Sequence, residues 1–199
     1  MSLFTDMTEL VTVGQYLDMR IAAAPLDALP SQLDDIRATM RSKTASYTAE
    51  FPLALGACAA RGEGAHVLAA REAGLPAGIA FQLRDDVLGL VGEPAVTGKP
   101  VGDDIREGKR TVPLWHAWTL TDSDGRSVLG SAVGNAAASE TLIAEAILVV
   151  VESGAIAAVE REISSLSAQA IDLVANLDID ARGRDALADL LRQWGVRAA

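Results

Sequence analysis

Gln82, Asp85, Asp86 and Gly89 are spaced i, i+3, i+4 and i+7 in a stretch that is otherwise apolar. On a helix this spacing puts all four on one face. Two adjacent carboxylates near the end of an apolar helix are costly to bury unless something positive lies against them. A metal ion, basic side chains, or exposure to solvent at a fraying helix end would each meet that demand. Neighbouring carboxylates without imidazole or thiolate partners suit a hard, oxygen-preferring cation such as Mg²⁺, which keeps several waters and bridges to phosphate oxygens.

The basic residues nearby sharpen this reading. Lys99 follows Gly98, and Asp103 and Asp104 then precede Arg106, Glu107, Gly108, Lys109, Arg110 and Thr111. Lysines carried by a glycine-containing loop opposite a metal-binding carboxylate pair suit a diphosphate. Upstream, Lys43 and Thr44 stand where two helical stretches meet, four residues before Tyr47. Each lysine taken singly reads as a solvated surface charge. Only the combination points to an anion.

The elements that must position these residues read as helices. Residues 5–24 repeat Leu10, Val13, Leu17 and Ile21 at helical spacing. Pro25 and Pro30 bracket a turn, and Ser31 is placed to cap a helix running through Leu33, Ile36 and Met40 towards Lys43. Pro52 is expected to end or kink the stretch 44–60, and Gly74 and Pro76 to divide the stretch 63–91. Residues 92–103 hold Gly92, Pro94, Gly98, Pro100 and Gly102, a loop whose length itself suggests function. Pro113 belongs in the first turn of a helix over 112–120. A turn is expected at Asp122-Ser123-Asp124-Gly125, and Ala136 to Ala138 read as helix. Further helices are expected near 137–152, 155–176 and 181–194. No stretch alternates with period two, so the expected fold is all-α, with 1–199 forming a single domain.

Composition agrees with closely packed helices. Half of the 199 residues are apolar but only 4% are aromatic, and Ala, Leu and Val dominate. The net charge of −10 argues against non-specific nucleic-acid binding. Cys58 is the one cysteine, so no intrachain disulfide is possible. The longest apolar runs, such as Leu142 to Val151 with its interruption at Glu145, fall short of the ~20 residues of a membrane span. With no signal-peptide pattern at the start, a cytoplasmic location and no membrane span are expected.

Together the motifs resemble a known family. Phe81-Gln82-Leu83-Arg84-Asp85-Asp86-Val87-Leu88-Gly89, then Thr97-Gly98-Lys99-Pro100, then Asp103 to Pro113, look like the second aspartate-rich region of trans-isoprenyl diphosphate synthases of the geranylgeranyl and polyprenyl type. Gly14-Gln15-Tyr16-Leu17-Asp18 and Lys43-Thr44-Ala45-Ser46-Tyr47-Thr48 resemble two further motifs, in the family's order, and the likeness is strongest over 9–116.

The resemblance implies an all-α bundle of the isoprenoid synthase type around a deep cavity, with two aspartate-rich motifs facing each other and Mg²⁺ holding an allylic diphosphate. By that likeness Asp85 and Asp86 would ligate Mg²⁺, and Lys43, Lys99 and Lys109 would contact the diphosphate. Thr44 and Gln82 would lie near the reacting carbon, and Gln15 and Asp18 would line the same wall. The implied reaction is prenyl transfer: ionisation of the allylic diphosphate, attack by isopentenyl diphosphate, and growth by one five-carbon unit. The implied partners are these two diphosphates and a second subunit, as homodimer or heterodimer.

Two departures qualify the likeness. Gly89 stands where the second motif often carries a further aspartate. The first motif, Asp-Asp-x-x-Asp with paired arginines, should precede Gly14 by several helices, yet only thirteen residues do. Asp34-Asp35 lacks the third aspartate and lies on the wrong side of Gly14. The expectation is therefore a C-terminal part of such a synthase, poorly active by itself. The alternative is a non-catalytic subunit that binds and modulates a full-length synthase. Terpene cyclases and head-to-head synthases fit less well, since they lack the Gly-Lys and Glu-Gly-Lys lysines.

Overall fold

The computed structural model describes residues 2–61, 64–92 and 100–196, and among these every regular element is helical. The α-helices are α1 (Leu3–Ala23), α2 (Leu33–Thr39), α3 (Phe51–Arg61), α4 (Gly64–Val91), α5 (Asp103–Glu107), α6 (Val112–Leu120), α7 (Ser123–Ala132), α8 (Glu140–Glu152), α9 (Ala155–Ala175) and α10 (Ala181–Val196). A 3₁₀ turn covers Leu26–Ser31, and a π-helical segment, Met40–Glu50, joins α2 to α3. No single helix among the described residues is long and apolar enough to cross a membrane. The backbone gathers into two compact units, each drawn from separated stretches of sequence.

The first unit comprises Met1–Leu17, Ala38–Arg84 and Glu162–Ala198. Its centre is small and aliphatic: Ala49, Ala73, Ala77, Ala170, Val174 and Leu191 are buried together. Phe81 meets Trp194 edge to face at 5.1 Å between ring centres. Along α4 the first unit closes by backbone contact. A Cβ placed on Gly74 would lie 2.7 Å from the Ala49 carbonyl oxygen, and one on Gly78 would lie 2.6 Å from Ala45 Cα. Ala45 and Ala49 are themselves four residues apart, so two stripes of small residues let the helices touch.

This seam corrects one expectation. Gly74 and Pro76 do not divide α4, which runs unbroken from Gly64 to Val91. The glycine is there for close approach, and Pro76 is buried within the packed helix. Pro52 does mark a change of winding. It stands at the second position of α3, where the π-helical segment ends and the Phe51 N–H still reaches back to the Ser46 carbonyl. A widened turn before the proline relieves the clash its ring would make in a regular helix. Beside it, Glu50 is buried and takes two hydrogen bonds from Arg71, at 3.0 Å from Nε and 2.6 Å from the terminal nitrogen. The same guanidinium lies 4.5 Å from the Phe51 ring centre.

The second unit comprises Asp18–Arg37 and Asp85–Arg161. Its core includes Leu29, Ile36, Ile105, Leu114, Leu129 and Ile143, all fully buried. Helix starts are set by side-chain caps: Thr111 accepts from Leu114 N–H, Asp122 from Gly125 N–H and Ser139 from Leu142 N–H. Pro113 sits in the first turn of α6, as expected. Three expectations fail here. Asp122 to Gly125 is not a free turn but the cap and first turn of α7. Ala136 and Ala137 are not helical, because Asn135 Oδ1 captures the Ala137 N–H and α8 waits for its cap at Ser139. Nor does Ser31 cap α2: its hydroxyl donates back to the Ala28 carbonyl, and α2 begins at Leu33.

Candidate functional site

Within the first unit, the Lys43-Thr44 motif lies in the π-helical segment Met40–Glu50. Such winding is rare and recurs at functional positions, because it rotates side chains away from where a regular helix would send them. Lys43 and Thr44 are both half-buried. Gly14 of α1 abuts this segment: a Cβ there would fall 2.5 Å from Lys43 N and 2.8 Å from both its Cα and Cβ. The glycine of the Gly14-Gln15 motif is thus a seat for the Lys43 backbone. Gln15, the next residue, is exposed. Gln82 is half-buried, one turn beyond Gly78 along the stripe that packs on Ala45.

Within the second unit, α4 delivers Asp85 and Asp86 into different surroundings. Asp85 is exposed, whereas Asp86 is buried and engaged by other groups. Asp18 is half-buried and also engaged. Across from this end of α4, the carboxylate of Asp104 lies on Gly89: a Cβ at residue 89 would meet Asp104 Cγ at 2.8 Å. Asp104 is buried and accepts a short hydrogen bond from Lys109 Nζ, and Glu107 lies 3.4 Å from the same ammonium. Partial burial alone would lower the Lys109 pKa. The hydrogen bond and charge of Asp104, with those of Glu107, outweigh it and hold the ammonium above its ordinary value. The neighbouring Arg110 guanidinium is shifted the other way, downward by burial. Arg106 anchors α5 by bonding the Ala138 carbonyl and Glu140.

Lys99, with Thr97 and Gly98, lies outside the described residues. Among those described, no three His, Cys, Asp or Glu side chains gather closely enough to cage a metal ion. The exposed Asp85 nevertheless offers the hard oxygen donor that Mg²⁺ takes when waters and phosphate oxygens supply the rest of its shell. Such a donor fits an Mg²⁺ site that substrate oxygens and waters complete. Sequence reasoning assigned no role to Asp104. Its contact with Gly89 joins residues fifteen apart, and the only trace in the sequence is the glycine itself. A cavity of about 570 Å³ also opens in the first unit, between α3, the start of α4 and the α9–α10 connection, but none of these motif residues lines it.

The all-helical fold is that of the isoprenoid synthases. Its backbone matches a geranylgeranyl pyrophosphate synthase from Corynebacterium glutamicum, solved with isoprenyl diphosphate and magnesium, at a TM-score of 0.91 and 35% identity over 98% of this chain and 54% of that one. Residues 1–150 match the polyprenyl synthetase family, and the chain belongs to it. Curated relatives include a geranylfarnesyl diphosphate synthase from Aeropyrum pernix, 38% identical over 60% of this chain and 37% of that protein. A short chain isoprenyl diphosphate synthase from Methanocaldococcus jannaschii is 46% identical over 35% of this chain and 21% of that protein. The chain therefore spans about half of the solved relative and less of these curated ones.

Proposed function

We propose that the chain supplies part of the allylic-diphosphate site of a prenyl diphosphate synthase, which joins isopentenyl diphosphate to an allylic diphosphate. The observation that carries this reading is the second unit's arrangement of the exposed carboxylate of Asp85 on α4 and, beside Gly89 on the same helix, the Asp104–Lys109 ion pair. Magnesium, when bound, would neutralise the diphosphate and help it to leave. Asp85 would hold that ion, and Asp86, itself buried and engaged by other groups, would fix the helix end. Lys109 and Lys99 would bind diphosphate oxygens, and Lys43 would do the same from the widened turn of the π-helical segment. As the allylic C–O bond breaks, the oxygens of Thr44 and Gln82 would face the developing cation without forming a covalent bond. Gln15 and Asp18 would complete the wall. The double bond of isopentenyl diphosphate would then attack the allylic carbon, and loss of a proton would restore neutrality.

Relatives bearing the synthase name are longer than this chain, and groups that act as a unit lose most of their effect when divided. Weak turnover by the chain alone is the expected result. A second reading, a subunit that modulates a longer synthase, draws on one feature: Phe4, Val13, Tyr16 and Met19 of α1 are all more than half exposed. The test is binding and turnover together. The chain should bind inorganic diphosphate in the presence of Mg²⁺, measured by calorimetry, and Lys43→Ala should weaken that binding about tenfold, the loss of one charge-assisted contact. Labelled isopentenyl diphosphate should elongate farnesyl diphosphate slowly or not at all. Absence of Mg²⁺-dependent diphosphate binding would sink the reading, and rapid elongation would sink the claim that the site is partial.

A further inference from the structure

Resting on the diphosphate reading above, we infer that Asp104 is a positioning residue for Lys109, and that Gly89 is kept side-chain-free to seat its carboxylate. Gly89 lies one turn beyond Asp85 on α4. Asp104 Oδ2 lies directly against Gly89, so no side chain fits at residue 89 while Asp104 keeps its place. The other carboxylate oxygen, Oδ1, accepts from Lys109 Nζ. The side chain of Asp104 is 8% exposed and that of Lys109 is 40% exposed. A buried carboxylate therefore tethers an ammonium that Glu107 also approaches, at 3.4 Å, and that still reaches solvent.

The backbone reinforces the tether. Lys109 N–H donates to the Asp104 carbonyl at 3.0 Å, so the two residues are clipped together twice, through main chain and side chain. Gly134 N–H bonds the Ile105 carbonyl at 2.8 Å and Arg106 bonds the Ala138 carbonyl, which fix the clip to the α7–α8 turn. A free lysine side chain samples many rotamers and loses that freedom on binding an anion. Lys109 has lost part of it already.

The same geometry gives the glycine in the motif a physical meaning. A carboxylate does stand over residue 89, but it comes from α5 and carries a lysine with it. Placing an aspartate at residue 89 would not add a ligand to an open position. It would evict Asp104 and release Lys109.

The test compares wild type with Asp104→Asn, Gly89→Ala, Lys109→Ala and the double variant Asp104→Asn/Lys109→Ala, each checked for native helical content. The first readout is calorimetric binding of inorganic diphosphate with Mg²⁺. Lys109→Ala, Asp104→Asn and Gly89→Ala should each weaken it about tenfold, and Asp104→Asn should add nothing in the Lys109→Ala background. The second readout needs no ligand: the acetylation rate of Lys109, followed by peptide mass spectrometry, should rise several-fold in both Asp104→Asn and Gly89→Ala.

If Lys109→Ala weakens diphosphate binding while Asp104→Asn leaves or improves it, the positioning role is wrong and the site reading survives. Additive losses in the double variant would likewise overturn it, since Asp104 would then act by another route. If diphosphate does not bind wild type at all, the site reading fails. Unchanged acetylation of Lys109 in both variants would overturn the tether independently.

Discussion

Replacing Gly78 with alanine sets helix propensity against packing, and the structure says which wins. Alanine is better than glycine in a helix interior by about 1 kcal/mol. At Gly78 the added methyl would lie 2.6 Å from Ala45 Cα and 2.8 Å from both the Ala45 methyl and its carbonyl oxygen. Non-bonded carbons rest about 3.5–4.0 Å apart, so the contact falls short by about 1 Å. The obstacle is backbone, and Ala45 is completely buried, so no side chain can swing aside. Overpacking of this kind costs about 1–3 kcal/mol, and the upper end applies where a helix must move bodily. The net expectation is destabilisation by about 2 kcal/mol, or a melting temperature lower by about 4–8 °C for a chain of this size.

Gly56 supplies the control. It is also inside a helix, but a Cβ there meets nothing within 4 Å. Gly56→Ala should therefore raise the melting temperature by about 2–4 °C through propensity alone. Thermal denaturation followed by far-ultraviolet circular dichroism measures both. A Gly78→Ala protein as stable as wild type, alongside a stabilised Gly56→Ala, would refute the backbone seam between α4 and the π-helical segment.

Arg71→Met should destabilise the chain by about 3–5 kcal/mol in urea titration, because it leaves the buried Glu50 carboxylate unpaired. The double variant Glu50→Leu/Arg71→Met should recover most of that loss, since it removes the stranded charge. Lys109 has its pKa raised in the folded state, so its ion pairing contributes fully below the unfolded value of 10.5 and is lost as pH rises through the higher folded value. The difference in urea midpoint between wild type and Lys109→Met should accordingly hold constant near neutral pH and shrink above pH 10.5.

The sequence by itself determined the all-α character and the family, because both rest on local signals. Apolar residues at helical spacing, prolines at helix starts, and motifs such as Gln82 to Gly89 are read along the chain. It also located α4, α6, α9 and α10 closely. It misjudged Gly74 and Pro76, since glycine signals a break locally but a close approach in a packed interior. It misjudged the Asp122–Gly125 and Ala136–Ala138 stretches as well, where a single hydrogen bond accepted by the side chain of Asp122 or Asn135 decides whether the next residues begin a helix or delay it. Only the tertiary structure decided why Gly14 and Gly89 are glycines, one seating the Lys43 backbone and the other the Asp104 carboxylate. Those contacts join residues 29 and 15 positions apart, and no periodicity along the chain encodes which distant group will fill a missing side chain's volume. Burial likewise separated two adjacent aspartates of identical chemistry, exposing Asp85 and enclosing Asp86.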